Sequence, residues 1–169
     1  MELIIPVKAY YQSYIEAIEE YRKHDVSTYA FFDINKYDIF EKYENYRTGN
    51  NLPDGYVKST YLWFVDGDEF IGEVSIRHSL TDSLLRFGGH IGYGIRYSKW
   101  NQGIGTIMLA MALKYAKEVL GLQKILITCN DNNYGSARVI EKNGGILQDK
   151  IVNNIDGVDR ITRRYWIEI

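Results

Sequence analysis

The stretch from Gly92 to Leu120, GYGIRYSKWNQGIGTIMLAMALKYAKEVL, constrains this chain more than any other. It passes from an apolar strand through a polar elbow into a long helical segment. Ile104, Ile107, Met108, Met111, Ala112, Tyr115 and Val119 recur mostly at steps of three and four, which is the spacing of a helix face. Gly121 is placed to stop that helix as its C′ residue. The rest of the chain reads as a frame that presents this unit.

The first turn of a helix has backbone NH groups without partners at the positive end of the macrodipole, where an anion is the natural partner. In Asn101-Gln102-Gly103-Ile104-Gly105-Thr106 the glycines remove side chains where a phosphate would touch the main chain. The elbow therefore reads as a pyrophosphate cradle, against the plainer reading of a tight turn that binds nothing. Spacing separates the families that use such a turn. The nucleotide triphosphatase loop requires Lys-Ser/Thr after its last glycine, where this chain has Thr106-Ile107. The dinucleotide fingerprint would put its third glycine at Met108, and no acidic residue follows at a strand end about 20 residues on.

The segment Trp100-Asn101-Gln102-Gly103-Ile104-Gly105 resembles the signature of the GNAT superfamily of N-acetyltransferases, Arg/Gln-x-x-Gly-x-Gly/Ala, and departs from it at Trp100. Lys99 is a substitute source of charge. A second block, Asn133-Tyr134-Gly135-Ser136-Ala137-Arg138-Val139-Ile140-Glu141-Lys142-Asn143-Gly144-Gly145, is similar to the family's N-x-x-S…Y-E-K-x-G-F helix. The resemblance covers roughly residues 59 to 150. It implies acetyl-CoA as cosubstrate and helices on both faces of the sheet. It further implies oxyanion donors in the main chain around Tyr93, Gly94 and Ile95, and CoA contacts at Asn133 and Ser136. The family's usual proton-donor tyrosine falls at Ile140, which cannot donate.

At 169 residues the chain fits one domain, 1–169, with a core of its own. The hydrophobic content of 46% and charged content of 25% suit a water-soluble domain, and no apolar run approaches membrane length. The N-terminus lacks the pattern of a signal peptide. The net charge of −2, without a basic cluster, argues against nucleic acid as a partner. One cysteine, Cys129, suits a reducing compartment, hence a cytoplasmic location, and the histidines and cysteine are too few for a structural zinc site.

Periodicity gives a short edge strand at Leu3 to Val7, a helix from Ala9 to Arg22, and a second helix capped by Asp33 with Tyr37, Phe40 and Tyr43 on its face. Ser59 to Val65 and Glu69 to Ile76 form a hairpin around Asp66-Gly67-Asp68. A short helical turn lies within Arg77 to Gly89, followed by a strand from His90 to Arg96. The long helix, a strand from Lys124 to Cys129, a helix from Asn133 to Asn143, and strands at Ile146 to Val152 and Arg160 to Ile167 complete the order. The fold class is α/β of the α+β type, a mixed, mostly antiparallel central sheet packed against helices.

Acetyl transfer to an amine requires a base or water chain, because the amine is mostly protonated at neutral pH. His90 shares a strand face with Gly92 and Gly94 by alternation, and its unperturbed pKa suits the task. Glu73 interrupts the apolar strand FIGEVSI, where a carboxylate requires a reason. His90 is preferred as the base. The alternatives are a structural histidine and a solvated or paired glutamate. Cys129 reads as an apolar filler, and Asn133 and Ser136 as helix caps if not CoA contacts. The tyrosines of the first third either line an acceptor groove or cover the core. The expected activity is direct acetyl transfer from acetyl-CoA to a primary amine of a small molecule or peptide. The alternative is a non-catalytic acyl-CoA-binding or sensing module. No membrane partner is expected, and a homodimer is left open.

Overall fold

The β-branched and aromatic run Ser59–Asp66 (β2) turns at Gly67 and returns as Glu69–Arg77 (β3), and both strands are buried on both faces along most of their length. The computed structural model describes residues 1–26 and 31–169. Edge strand Glu2–Ile4 (β1) pairs with β2 and stops before Pro6, which has no NH to give a ladder. Strand Ile91–Ile95 (β4) pairs with β3 on the other side, so the first sheet runs β1-β2-β3-β4, antiparallel throughout.

A second antiparallel sheet holds Lys124–Asn130 (β5), Ile146–Ile155 (β6) and Val158–Glu168 (β7) in the order β5-β7-β6. The hairpin strands run on to Ile155 and resume at Val158, past the ends at Val152 and Arg160 that the sequence suggests. Asp156 and Gly157 both take positive φ, as a two-residue hairpin turn requires. The sheet is thus broken between β4 and β5, a division that the hydrophobic pattern does not reveal.

Helices cover both faces of the first sheet. Tyr11–Lys23 (α1), entered by a 3-10 turn at Lys8–Tyr10, packs on β3, and Ile39–Thr48 (α2) packs on β2. Helix α2 starts later than the sequence suggests. Asp38, not Asp33, accepts from the NH groups of Phe40 and Glu41, while Asp33 closes a local turn with Asn35. Together these elements enclose an aromatic core of Tyr14, Tyr43, Tyr46, Tyr61, Trp63 and Phe70.

The long helix Ile104–Glu118 (α4) covers the opposite face, burying Met108, Leu109, Ala112 and Ala116 against Leu62, Val74, Ile76 and Ile91. Gly121 adopts φ 69° just beyond it and donates back to Lys117, as a helix stop does. Helix Tyr134–Lys142 (α5) leans on β5 and α4, and a short helix Asp82–Arg86 (α3) fills the connection from β3 to β4.

Candidate active site

Among the described α-helices only α1, which is entered through a 3-10 turn, and α4 have no side-chain cap at the N-terminus. Helices α2, α3 and α5 are each capped by a side chain, from Asp38, Thr81 and Asn133 respectively. The N-cap of α4 is Gly103, at φ 77°, with no side-chain cap. A Cβ on Gly103 would meet no atom within 4 Å, so the space above the first turn is free. Thr106 and Ile107 turn their NH groups back to the Gly103 oxygen. The donors left at the elbow belong to Gly103, Ile104 and Gly105. Asn101, at φ 60°, and Gln102, which donates to the Ser98 oxygen, shape the approach.

Beside the elbow lies the break between the sheets. Strands β4 and β5 touch at one end only. His90 N donates to the Leu126 oxygen at 2.7 Å, and Leu126 N donates to His90 Nδ1 at 2.9 Å. Gly89 is required there, because a Cβ would stand 2.4 Å from the Leu126 oxygen. Beyond this pin the strands part. Arg77 N donates to the His90 oxygen and Arg96 N to the Ile71 oxygen, which fixes the alternation of the β3–β4 ladder. The NH groups of Ile91, Tyr93 and Ile95 therefore face away from β3, into the split.

Across β4 from the split stands Glu73. Its Cα partner in the ladder is Gly94, and its carboxyl enters the aromatic core, wholly buried. Oε1 accepts from the Tyr43 hydroxyl at 2.5 Å, Trp63 Nε1 donates to that hydroxyl at 3.4 Å, and Oε2 has no partner among the described residues. Burial pushes the Glu73 carboxyl up to about 7, a rise that the hydrogen bond from Tyr43 only partly offsets.

His90 sits differently from its expected place beside the glycines. It precedes β4 at the closed end of the split, and its Nδ1 lone pair is occupied by the Leu126 NH. Burial and the Arg77 charge hold its imidazole down to about 4. These facts remove the reasons for preferring it as the base. Strand alternation fails at this residue because its NH points to β5 while its carbonyl points to β3.

A cleft of about 460 Å³ lined by Ser13, Glu16, Asp68, Glu69 and Arg96 contains neither Glu73 nor the elbow. Its one cation, Arg96, is already paired with Glu20 at 2.6 Å and Glu69 at 3.3 Å. Among the described residues no group of His, Cys, Asp and Glu is arranged to hold a metal, and no helix is long and apolar enough to cross a membrane.

The family model described as Acetyltransferase (GNAT) domain matches residues 10–146. The chain belongs to the GNAT acetyltransferase family. Solved structures agree in fold. A spermidine N-acetyltransferase, SpeG, from Vibrio cholerae is 17% identical over 99% of this chain and 95% of its own, with a TM-score of 0.65. The microcin C7 self-immunity acetyltransferase MccE, in complex with acetyl-CoA and AMP, is 17% identical over 99% and 91%, with a TM-score of 0.72. The ribosomal-protein alpha-N-acetyltransferase RimL, in complex with coenzyme A, is 15% identical over 99% and 93%, with a TM-score of 0.73. No curated protein matches the chain.

Within this GNAT chain the expected cradle residues Asn101, Gln102, Gly103, Ile104, Gly105 and Thr106 gather at the uncapped helix start, next to Tyr93, Gly94 and Ile95. Asn133 caps α5 through Oδ1 to Ser136 N at 3.0 Å, and the Ser136 oxygen accepts from the Tyr93 hydroxyl. Lys99 is not free to supply charge, being paired with Glu69 at 2.7 Å. Trp100 is a tie instead, donating from Nε1 to the Ile95 oxygen at 2.7 Å. Ile140 is fully buried in the main core and takes no part in proton transfer. The residues that sequence reasoning passed over are Tyr43 and Trp63. Their signal was the density of aromatics in the first third of the chain.

Proposed function

We propose that this protein moves an acetyl group from acetyl-CoA directly to a primary amine of a small molecule or peptide, with Glu73 taking the amine's proton. Acetyl-CoA supplies the acetyl group as an activated thioester. The free NH groups of Gly103, Ile104 and Gly105 would hold its pyrophosphate, and the absence of a competing cap on α4 supports that fit. The NH groups of Tyr93 and Ile95 face the split, where they stabilise charge gathering on an acyl oxygen. Glu73 lies across β4 from these donors. With its carboxyl held at about 7, it is divided between acid and base at neutral pH, the condition under which a general base is most effective.

The single observation that carries the reading is a buried carboxylate with an unpartnered oxygen, directly opposite a strand glycine beside the split. That relatives of similar fold are named for acetylating spermidine and a ribosomal protein supports an amine acceptor. The same reading takes residues 1–169 as one domain acting in the cytoplasm, with a single free cysteine as its support.

Glu73→Gln tests it. The rate at neutral pH is expected to fall by about 10²- to 10⁴-fold with CoA affinity unchanged, and the acidic limb of the pH profile to disappear. His90→Gln is expected to keep that limb. A folded Glu73→Gln enzyme with normal rate and profile would overturn the assignment.

A further inference from the structure

The β3 row that begins with Glu73 continues with Ser75 and Arg77, all on the face toward α1 and α2 by strand alternation. Opposite Glu73 and Ser75, β4 offers only Gly94 and Gly92. Nothing from that strand fills the space above the row. Ser75 is fully buried and its Oγ has no hydrogen-bond partner among the described residues, the same condition as Glu73 Oε2.

Arg77 ends the row and differs from the chain's other inward-drawn arginines. Arg96, Arg163 and Arg164 each meet a carboxylate at 2.6 Å, from Glu20, Asp131 and Asp149. Arg77 donates from Nη1 to the main-chain oxygens of Gly88 and Gly89, at 3.2 and 3.1 Å, and meets no carboxylate among the described residues. Burial works against its charge, and the groups that interact with it are the phenols of Tyr61, Tyr46 and Tyr56, which are uncharged at neutral pH. A guanidinium drawn out of water without a counter-charge is costly, and here the chain does not supply one. Bracing the Gly88–Gly89 turn occupies Nη1 alone and leaves the rest of the fork for a ligand.

We infer that Arg77 anchors an anionic group of the acceptor, which is therefore an amine joined through an apolar spacer to a carboxylate or phosphate. This rests on the reading that Glu73 receives the amine. Four residues of strand separate the two positions by about 13 Å. The middle of the row holds one polar group, the Ser75 hydroxyl, among aromatic rings. The Phe31 ring lies 3.2 Å from where a Gly92 Cβ would stand and 5.5 Å, centroid to centroid, from Tyr61. Phosphate and carboxylate sources share one requirement, a flat fork of donors, which a guanidinium meets and an ammonium does not.

The test is binding, measured by calorimetry on the CoA-saturated protein. The probes are short peptides with a free N-terminal amine and an amidated C-terminus, carrying aspartate or asparagine at the third, fourth or fifth position. Amino-alkyl phosphates of similar reach, against their uncharged alcohols, form the phosphate arm. In at least one matched pair the acidic member is expected to bind about ten-fold more tightly. Arg77→Gln should abolish that preference with CoA affinity unchanged, and Arg77→Lys should retain part of it. If the Gln variant fails to fold for want of its turn brace, the Lys variant, expected to weaken the preference, carries the comparison. Equal binding within every pair overturns the anchor, as does an undiminished preference in a folded Arg77→Gln protein. Product formation is read in parallel samples that contain acetyl-CoA in place of CoA. Charge-selective binding without acetylation would sink the Glu73 reading and leave the anchor, whereas acetylation indifferent to the acceptor's charge would do the reverse.

Discussion

Three titratable side chains near the split have been moved by burial in directions that decide their roles. The Glu73 carboxyl rises to about 7, the His90 imidazole falls to about 4, and the Cys129 thiol rises to about 11. Only the first changes charge near neutral pH. Cys129 stays protonated there and cannot act as the nucleophile of a covalent acetyl-enzyme. Cys129→Ala is expected to keep its turnover, with a stability cost of about 1 kcal/mol measured by denaturant unfolding. Loss of turnover in a folded variant that still binds CoA would point to a two-step route. Glu73 was visible in the sequence as a charge inside an apolar strand. The burial that raises it was not, because that depends on α2 closing over β2, which also brings the Tyr43 hydroxyl from 30 residues away to offset part of the rise. The setting of His90 was hidden for a related reason. Alternation along β4 is local, while the hydrogen bond that consumes its lone pair comes from Leu126, 36 residues on.

At the level of elements, strands and helices with strong periodicity were legible, and boundaries set by a single cap were not. Asp33 and Asp38 both precede the α2 pattern, and only the chain's path decides which of them caps the helix. The division into two sheets was beyond the sequence because it depends on which strand β4 fails to pair with. The elbow of α4 was legible, since glycines at a strand-to-helix turn have a local reason. Gly103 occupies left-handed backbone with open space around it, so it tolerates Asn and Asp better than other replacements. Gly103→Asp and Gly103→Asn are nearly the same shape and differ in charge. If the helix start holds a pyrophosphate, the Asp variant should bind CoA about ten-fold more weakly than the Asn variant, by fluorescence or calorimetric titration. Equal affinities would remove the phosphate from that turn.

For the whole molecule the two perturbed groups on the first sheet work against each other. Between its ordinary value of 4.5 and about 7, folded Glu73 keeps a proton that the unfolded chain has released, so stability falls as pH rises through that range. Between about 4 and its ordinary 6.5, folded His90 refuses a proton that the unfolded chain accepts, so stability falls as pH drops. The two contributions oppose one another where the ranges overlap. Removing one exposes the other. Glu73→Gln, compared with the parent by denaturant unfolding, should gain about 1–3 kcal/mol at pH 8 relative to its difference at pH 5. A constant difference across that range would mean that the carboxyl is not shifted by burial. The split also leaves a mark on the timing of solvent exchange. Along β4 the amides of Gly92 and Gly94 are locked in a ladder, while those of Tyr93 and Ile95 look into open space, so deuterium should enter the strand at every second residue. A ligand that fills the gap should slow the fast amides and leave the slow ones as they were, turning a dashed pattern into a continuous one, readable residue by residue in heteronuclear spectra.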